Sequence, residues 1–385
     1  MDAGPITQPL PPVSAWRPPG CNSIALVLQG GGALGAYQAG VYHALHEAGL
    51  EPDWVNGVSI GGINSALIAG NPPELRLARL REFWDLVTTR PVWLFPPDGD
   101  LQHRIHNIWS AWLTSTLGQE GFFKPNQPSP WLRPRGAVGA TSIYDSAPLR
   151  ETLLRLVDFD LINRRETRLA LGAVNVSNGN FIYFDNSEIE IAPEHVMASG
   201  ALPPALPMVM VGTDYYWDGG VVSNTPLQHL LTHASGRNLL VFQVDLFSAR
   251  GEVPRDMFDV MTRHKDIQYS SRTRAITNYF RALHAKDVRL KALLEKVAEK
   301  DLSAEERTLK QQLADLPQIS LIHMIYQKGV YEGQVKDFEF SRVSMREHWD
   351  AGYRDTERTL RYKAWLAMPG EERGVVVHDV HHPDT

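Results

Sequence analysis

Two apolar segments of strand length, each followed at once by a glycine-rich turn, constrain this chain more than any other feature. Residues 23–28 (SIALVL) run into GGGALG at residues 30–35, and residues 54–56 run into GVSIG at residues 57–61. Residues 36–48 between them predict a helix. The order strand, helix, strand indicates a βαβ unit, and a continuous apolar run is typical of a strand buried on both faces of a parallel sheet.

Ser59 lies at the centre of the second turn, between Gly57 and Gly61 in a G-x-S-x-G pattern. A strand that turns directly into a helix at a serine is strained and needs small neighbours, and the turn leaves the hydroxyl exposed beside the positive end of a helix. That environment suits a nucleophile. Patterns of five residues also occur by chance, so this one does not assign a function alone.

The first glycine turn allows two interpretations. Gly30, Gly32 and Gly35 satisfy the G-x-G-x-x-G pattern of dinucleotide sites, and Asp53 follows at about the usual distance. However, Asp53 precedes the second strand, whereas the ribose-binding acid belongs at its end. The alternative is that backbone N–H groups of the glycine run hold a negatively charged oxygen beside Ser59. Because both turns meet at the carboxyl edge of one sheet, we favour the oxyanion hole over an oxidoreductase.

Composition narrows the protein class. The 385 residues allow two domains, 43% are hydrophobic, and the net charge of −6 argues against a nucleic-acid partner. One cysteine, Cys21, excludes an internal disulfide and fits a reducing compartment. Residues 1–22 are proline-rich and predict a disordered leader without a signal-peptide pattern. No segment approaches the roughly 20 apolar residues of a transmembrane helix. We therefore expect a cytoplasmic protein, either free or peripheral to a membrane.

An aromatic-rich insertion is predicted over about residues 91–140. Leu101, Ile105, Ile108 and Trp112 fall on one face at helical spacing. The insertion could form its own small core, cover Ser59, or dock onto lipid, because tryptophan favours the boundary between water and apolar material. Its aromatic residues are Trp93, Phe95, Trp109, Trp112, Phe122, Phe123 and Trp131.

The segments after the insertion predict further elements of the sheet. Residues 169–176 and 180–184 predict strands of a hairpin around the turn Ser177-Asn178-Gly179. Residues 198–207 combine small residues with three prolines, which suits a wall beside a narrow site. Asp218 follows the aromatic residues 215–217 and begins a glycine turn with Gly219 and Gly220. Residues 238–247 predict another strand.

The last third of the chain carries no predicted catalytic group. Residues 256–285 and 288–315 predict long charged helices, the second interrupted at a capping box of Ser303 and Glu306. Residues 319–326 predict a strand, and Ser344 and Glu347 predict the start of another helix. Basic residues on the helices are expected to face solvent, although a membrane phosphate could bind there. His378, His381 and His382 could bind a metal, but a frayed tail is the preferred interpretation.

Four blocks together resemble the patatin-like phospholipases. They are residues 30–35, 57–61 and 198–207 and the triplet Asp218-Gly219-Gly220, in the family's order, within residues 23–248. The resemblance implies a three-layer α/β/α fold with a mainly parallel central sheet, the aromatic insertion, and a helical C-terminal extension. Residues 249–385 resemble an uncharacterised, mainly helical domain that follows the patatin domain in some bacterial proteins.

Carried over to this sequence, the resemblance implies a dyad of Ser59 as nucleophile and Asp218 as its base, with no metal or other cofactor. Gly30, Gly31 and Gly32 would form the oxyanion hole, with the Gly31 and Gly32 amides as its donors. The chain departs from the family at Leu34, where a basic residue is frequent. Glycines 35, 57, 61, 219 and 220 support the turns. A serine–histidine–acid triad stays open because His229 and His233 follow Asp218, although His229 lies in a predicted helix that runs away from it.

These observations predict a lipid acyl hydrolase of the phospholipase A, lysophospholipase or esterase type, working through an acyl-enzyme on a lipid or acyl-ester substrate. Peripheral membrane contact is possible, and the oligomeric state is open. The alternative is a catalytically weak protein that recruits or scaffolds at membranes and retains a relic site.

Overall fold

A computed structural model describes residues 16–88, 114, 116–234, 236–327 and 336–379. Its strands are β1 Ser23–Leu28, β2 Trp54–Val58, β3 Lys124–Pro125, β4 Tyr144–Asp145, β5 Arg168–Asn175, β6 Phe181–Asp185, β7 Val209–Val211, β8 Asp214–Asp218, β9 Leu239–Asp245, β10 Ile319–Ile325 and β11 Val375–Asp379. Its α-helices are α1 Ala36–Glu47, α2 Ile60–Ala69, α3 Pro73–Leu86, α4 Ala147–Leu156, α5 Phe159–Asn163, α6 Pro193–Ser199, α7 Leu227–Thr232, α8 Met257–Tyr269, α9 Thr273–Leu294, α10 Ala304–Gln312 and α11 Arg342–Leu360.

Nine of the described strands form one mainly parallel sheet. Its order is β11-β10-β9-β1-β2-β5-β8-β7, with β6 also paired to β5. The six strands from β11 to β5 run parallel, whereas β6 and β8 lie antiparallel to β5. The βαβ unit and the hairpin predicted from the sequence are both confirmed.

Helices cover both faces of this sheet, which explains why β1 is apolar at every position after its first. Its residues Ile24, Leu26 and Leu28 pack in a core with α1, α2 and α3. Ala25 and Val27 point the other way, into a core with α7 and α9. The mixed α/β fold is therefore a three-layer α/β/α arrangement, as the resemblance implied, and the turns after β1 and β2 lie side by side at one edge.

The C-terminal segment continues the same sheet across the predicted boundary at residues 248 and 249. β10 pairs in parallel with β9, and β11 pairs with β10. On the first face, α11 crosses α1 so closely that a Cβ on Gly40 would lie 1.9 Å from the Trp349 carbonyl oxygen. The segment is thus helical on its outside and supplies two strands to the sheet.

Three sequence expectations for this segment need correction in detail. The first long helix ends at Tyr269 instead of residue 285, and α9 runs unbroken through the break expected at residues 286 and 287. The helix expected to begin at Ser344 begins at Arg342, because the Ser341 side chain accepts the Ser344 N–H. No strand was predicted from the sequence at residues 375–379, where β11 lies. The capping box of Ser303 and Glu306 is present.

Candidate active site

Ser59 occupies the abrupt turn between β2 and α2, with φ 57° and ψ −126°. A non-glycine residue in this region is strained, and such strain concentrates at functional sites. The turn is tight because a Cβ on Gly57 would lie 2.2 Å from the Gly61 oxygen, and one on Gly61 would lie 2.3 Å from the Leu28 oxygen. The turn therefore has no room for a side chain at either outer position of the pattern, which explains the glycines there.

Ser199 holds this turn from the end of α6. The Ser59 N–H donates to the Ser199 carbonyl oxygen at 3.0 Å and to its Oγ at 3.2 Å. The Ser199 hydroxyl in turn donates to the Gly172 carbonyl oxygen on β5 at 2.8 Å. Because Ser199 is fully buried, this chain of contacts fixes the backbone of Ser59 to the neighbouring strand.

The glycine loop after β1 runs alongside the serine. A Cβ on Gly30 would lie 3.0 Å from the Ser59 Cβ, so the loop needs a residue without a side chain there. The Gly30 N–H donates to the Asn224 carbonyl oxygen at 3.2 Å, and Asn224 Nδ2 donates back to the Gly30 oxygen at 2.9 Å. The Gly30 N–H group is therefore already used in a hydrogen bond inside the fold and is not free to donate to an oxyanion. The Gly31 and Gly32 N–H groups remain as candidate oxyanion donors in the loop.

Asp218 ends β8 and is 1% exposed. Its carboxylate accepts the Gly220 N–H at 2.7 Å. Burial raises the pKa of Asp218 to about 7, while hydrogen bonds from the Ser59 side chain and the Gly220 amide act in the opposite direction. A carboxyl group with a pKa near neutrality suits proton transfer, because it both accepts and releases a proton at physiological pH.

One cavity brings Ser59, Asp218 and the three loop glycines together. Its empty volume is about 710 Å³, part of which is open to solvent. Most of the remaining wall is apolar or aromatic, which suits a hydrocarbon chain beside the polar end that holds the serine. The apolar and aromatic side chains of this wall are Phe122, Phe123, Tyr144, Leu202, Ala205, Leu206, Phe247, Tyr269, Phe338 and Phe340.

The two residues that supported competing interpretations lie elsewhere. His229 Nε2 hydrogen-bonds the Asp185 carboxylate at 2.9 Å, and the described residues that line the cavity include no histidine. Asp53 lies just before β2, at the opposite end of that strand from the glycine loop, and its carboxylate accepts the Ile24 N–H at 2.9 Å. Asp53 thus fixes the backbone of β1, and neither residue meets Ser59.

Several site residues were not assigned from the sequence. Ser199 lies inside the block at residues 198–207, and Asn224 follows the aspartate turn, so both had a positional signal but no predicted contact. Nothing in the sequence pointed to Phe338 and Phe340, because they reach the cavity from the C-terminal segment. A Cβ on Gly32, which has φ 55°, would lie 2.2 Å from the Asp337 carbonyl oxygen, so this segment packs directly on the glycine loop.

The aromatic insertion is described only in part. Phe122 and Phe123 line the cavity, and Trp131 is 91% exposed. The residues of the expected helical face and Trp93, Phe95, Trp109 and Trp112 lie outside the described residues. The same holds for His381 and His382, and no group of three or more His, Cys, Asp or Glu suited to a metal occurs in the described ranges. Every helix described here is too short or too polar to cross a membrane.

Comparison with protein families gives two matches. A family model described as "Patatin-like phospholipase" matches residues 26–231, and a second, described as "Patatin phospholipase", matches residues 267–372. The first match covers the turn of Ser59, the glycine loop and Asp218. The second covers α9, α10, β10 and α11.

Two similar proteins match over a short stretch, and the chain spans only a small part of the length of each. The "Patatin-like phospholipase domain-containing protein ZK370.4" of Caenorhabditis elegans is 43% identical over 63 residues, which is 16% of this chain and 5% of that protein. "Lysophospholipase nte1" of Aspergillus terreus is 55% identical over 48 residues, 12% of this chain and 3% of that protein. Among solved structures, VipD from Legionella pneumophila has a TM-score of 0.38 and 14% identity, covering 88% of this chain and 67% of VipD.

Proposed function

Because this chain belongs to the patatin-like phospholipase family, we propose that it is a lipid acyl hydrolase in which Ser59 is the nucleophile and Asp218 its base. The observation that carries the proposal is the pairing of a strained, partly exposed serine with a buried carboxyl group in one apolar cavity. A serine hydroxyl is a weak nucleophile unless an adjacent base accepts its proton.

In the first half of the proposed reaction, Ser59 Oγ attacks the carbonyl carbon of an acyl ester while its proton passes to Asp218. The carbonyl oxygen becomes negatively charged and is stabilised by the Gly31 and Gly32 N–H groups, which the loop fixes before the reaction. The carbon–oxygen bond to the alcohol breaks, and Asp218 returns the proton to the leaving alkoxide. The product is an acyl-enzyme on Ser59.

In the second half, a water molecule gives its proton to Asp218 and attacks the acyl carbon. The same two amides stabilise the second tetrahedral intermediate. When it collapses, the bond between the acyl carbon and Ser59 Oγ breaks, Asp218 returns its proton to Ser59 Oγ, and the fatty acid is released. The chemistry requires no metal, since the proton transfers use one carboxyl group and the charge is held by amides.

The apolar wall supports an acyl chain as the part of the substrate that the cavity binds. The printed name of the Aspergillus relative adds lysophospholipids to the substrates worth testing. A panel of phospholipid, lysophospholipid, neutral ester and short soluble ester separates these classes, with the Ser59→Ala protein as the background.

The proposal is tested by Ser59→Ala and Asp218→Asn. Each is expected to lower kcat for a short soluble ester by about 10³-fold or more, as in other serine hydrolases. The matched control is Asp214→Asn, which makes the same change at the other end of β8 and away from the cavity. Circular dichroism establishes that each variant is folded.

A fluorophosphonate probe separates this proposal from a relic site that only recruits other proteins. An adduct on Ser59 of the unmodified protein, absent from Ser59→Ala, is the expected result. A folded protein that forms no adduct would support the scaffold, and near-normal hydrolysis by either dyad variant would refute the dyad.

A further inference from the structure

The helix α8 is inverted with respect to the usual amphipathic pattern. Five of its apolar side chains, those of Met257, Phe258, Val260, Met261 and Ile267, are between 44% and 70% exposed. A spacing of three, four and seven residues places four of them, all except Phe258, on one face of the helix. The residues that α8 buries are Thr262 and Asp266. We call the four that share this face the α8 face.

The polar side of α8 is fixed in the interior. Asp266, 3% exposed, forms an ion pair with Lys336 Nζ at 2.8 Å, and Lys336 is also buried. Separating the partners of a buried ion pair is strongly destabilising, because it leaves a buried charge without compensation. Rotating α8 to cover its apolar face would break this pair. The exposure of the α8 face is therefore a property of the folded chain, and exposed apolar side chains grouped on one helix face point to an interaction site.

The same helix leads to the catalytic cavity. Its last residue, Tyr269, lines that cavity, and the Tyr269 carbonyl oxygen accepts hydrogen bonds from Gln29 Nε2 at 2.9 Å and Asn224 Nδ2 at 3.1 Å. The ion-paired Lys336 directly precedes Asp337 and Phe338, which also line the cavity. Whatever the α8 face binds is thus held next to the site of hydrolysis.

A basic cavity adjoins the loop that leads into α8. Arg250, Arg274 and Arg281 line a cavity with an empty volume of about 1320 Å³, and none of the three forms an ion pair with another described residue. We call these three the arginine group. Arg263 connects α8 to this cavity, because its guanidinium donates a hydrogen bond to the carbonyl oxygen of Ser248, a residue of the cavity lining, at 3.2 Å.

Acidic residues also lie near these features. In the basic cavity, Asp245 accepts a hydrogen bond from His323 at 2.6 Å, and Asp379 is the other acid of the lining. At the start of α8, the Asp256 carboxylate caps the helix by accepting the Asp259 N–H. The Asp259 carboxylate accepts the Arg255 N–H. Glu252 is the remaining exposed acid of the loop.

We propose that the α8 face docks onto an anionic lipid surface, with the arginine group facing the lipid phosphates. Interfacial binding of this kind combines insertion of apolar side chains with attraction of basic residues to anionic headgroups. A protein partner would match the apolar side chains equally well. The arginine group and the short path from α8 to a cavity for acyl chains favour a lipid surface. The choice of lipid rests on the proposed function.

The test measures binding of the full chain to vesicles by co-sedimentation. The vesicles contain phosphatidylcholine alone or phosphatidylcholine with an equal share of phosphatidylglycerol. Changing Met257 and Met261 together to Ser is expected to weaken binding to the mixed vesicles by at least about 10-fold, because two exposed apolar side chains no longer enter the interface. Hydrolysis of a short soluble ester should stay unchanged.

The matched control changes Tyr279 and Leu293 to Ser. Both are about as exposed as the α8 methionines but lie on the side of α9 away from Arg274 and Arg281, so binding should stay at the level of the unmodified protein. Arg250→Gln with Arg274→Gln is expected to reduce binding to the mixed vesicles and to leave binding to pure phosphatidylcholine unchanged. Thermal unfolding of every variant shows whether the fold is intact.

Equal binding by the Met257 and Met261 variant and the unmodified protein would overturn the inference. So would a dimer that dissociates in that variant, because the α8 face would then be an interface between two copies. Ser59→Ala should bind vesicles normally. Vesicle binding without ester hydrolysis by the unmodified protein would refute the proposed function and leave the docking surface standing.

Discussion

At the scale of single residues, the protonation of Asp218 is the property most open to measurement. In the proposed mechanism the carboxyl group must be ionised to accept the proton of Ser59, and burial raises its pKa to about 7. We therefore expect kcat/KM for a soluble ester to rise with pH through about 7 and then to level off. A pH–rate profile checks this, and a profile already flat from about pH 5 would contradict it.

The stability of the protein provides an independent measure of the same group. A carboxyl group with a raised pKa binds its proton more tightly in the folded state, so the contribution of Asp218 to the free energy of unfolding falls as pH rises from about 4 to about 7. Asp218→Asn removes this dependence. Relative to the unmodified protein, the variant should gain a few kcal/mol above neutral pH, since one pKa unit corresponds to about 1.4 kcal/mol.

The sequence predicted part of this site. Ser59 and Asp218 stand in short patterns whose glycines are needed locally, so both could be singled out from the order of residues alone. Ser199 and Asn224 could not be given contacts, because each bonds a segment more than 100 residues away. Phe338 had no signal, since an aromatic residue in a polar segment becomes a cavity wall only through tertiary packing.

At the scale of elements, the crossing of α1 and α11 depends on two glycines. A Cβ on Gly40 would lie 1.9 Å from the Trp349 carbonyl oxygen, and one on Gly352 would lie 2.0 Å from the Tyr37 oxygen. Both contacts are to backbone, so a side chain cannot be accommodated by a change of rotamer. The two helices can cross at this distance only with glycine at each position.

Gly40→Ala is therefore expected to destabilise the protein by several kcal/mol, because the added methyl group forces the helices apart. In an isolated helix the same change is stabilising by about 1 kcal/mol. A loss of stability in this variant would therefore indicate that the two helices cross in close contact at Gly40. Chemical denaturation of the purified protein measures it, and a variant as stable as the unmodified protein would contradict the close approach.

The boundary between α8 and α9 shows why the helices of the C-terminal segment were predicted with the wrong break. Residues 270–272 (SSR) contain neither glycine nor proline, the usual signals at the end of a helix, so the end of α8 was not marked. The Tyr269 carbonyl oxygen is instead bonded by Gln29, 240 residues earlier, and by Asn224. The capping box at Ser303 was predicted correctly because both of its partners lie within four residues.

At the scale of the whole molecule, the sheet joins both family-matched regions into one unit. β9 is buried at all seven positions and pairs with β1 on one side and β10 on the other. The cavity takes Asp337, Phe338 and Phe340 from the C-terminal segment. The region matched as patatin-like therefore lacks a complete cavity and a protected sheet edge when taken alone.

A chain cut after residue 248 is accordingly expected to aggregate and to lose ester hydrolysis. Removing β10 and β11 leaves β9 as a long apolar edge strand, which is a template for pairing with other chains. Size-exclusion chromatography with an activity assay checks this outcome. A soluble shortened chain with normal kcat would show that the C-terminal segment is dispensable for both fold and catalysis.

The position of β11 at residues 375–379 also bears on how the protein is made. A ribosome adds roughly 5–20 residues per second, so on the order of 10 s separates the emergence of β9 from that of the last strand. During this interval the nascent chain first holds β9 without its neighbour β10, and then β10 without its neighbour β11. Such a chain is a natural client for chaperones that bind nascent polypeptides, and slow translation of its last third would prolong that dependence.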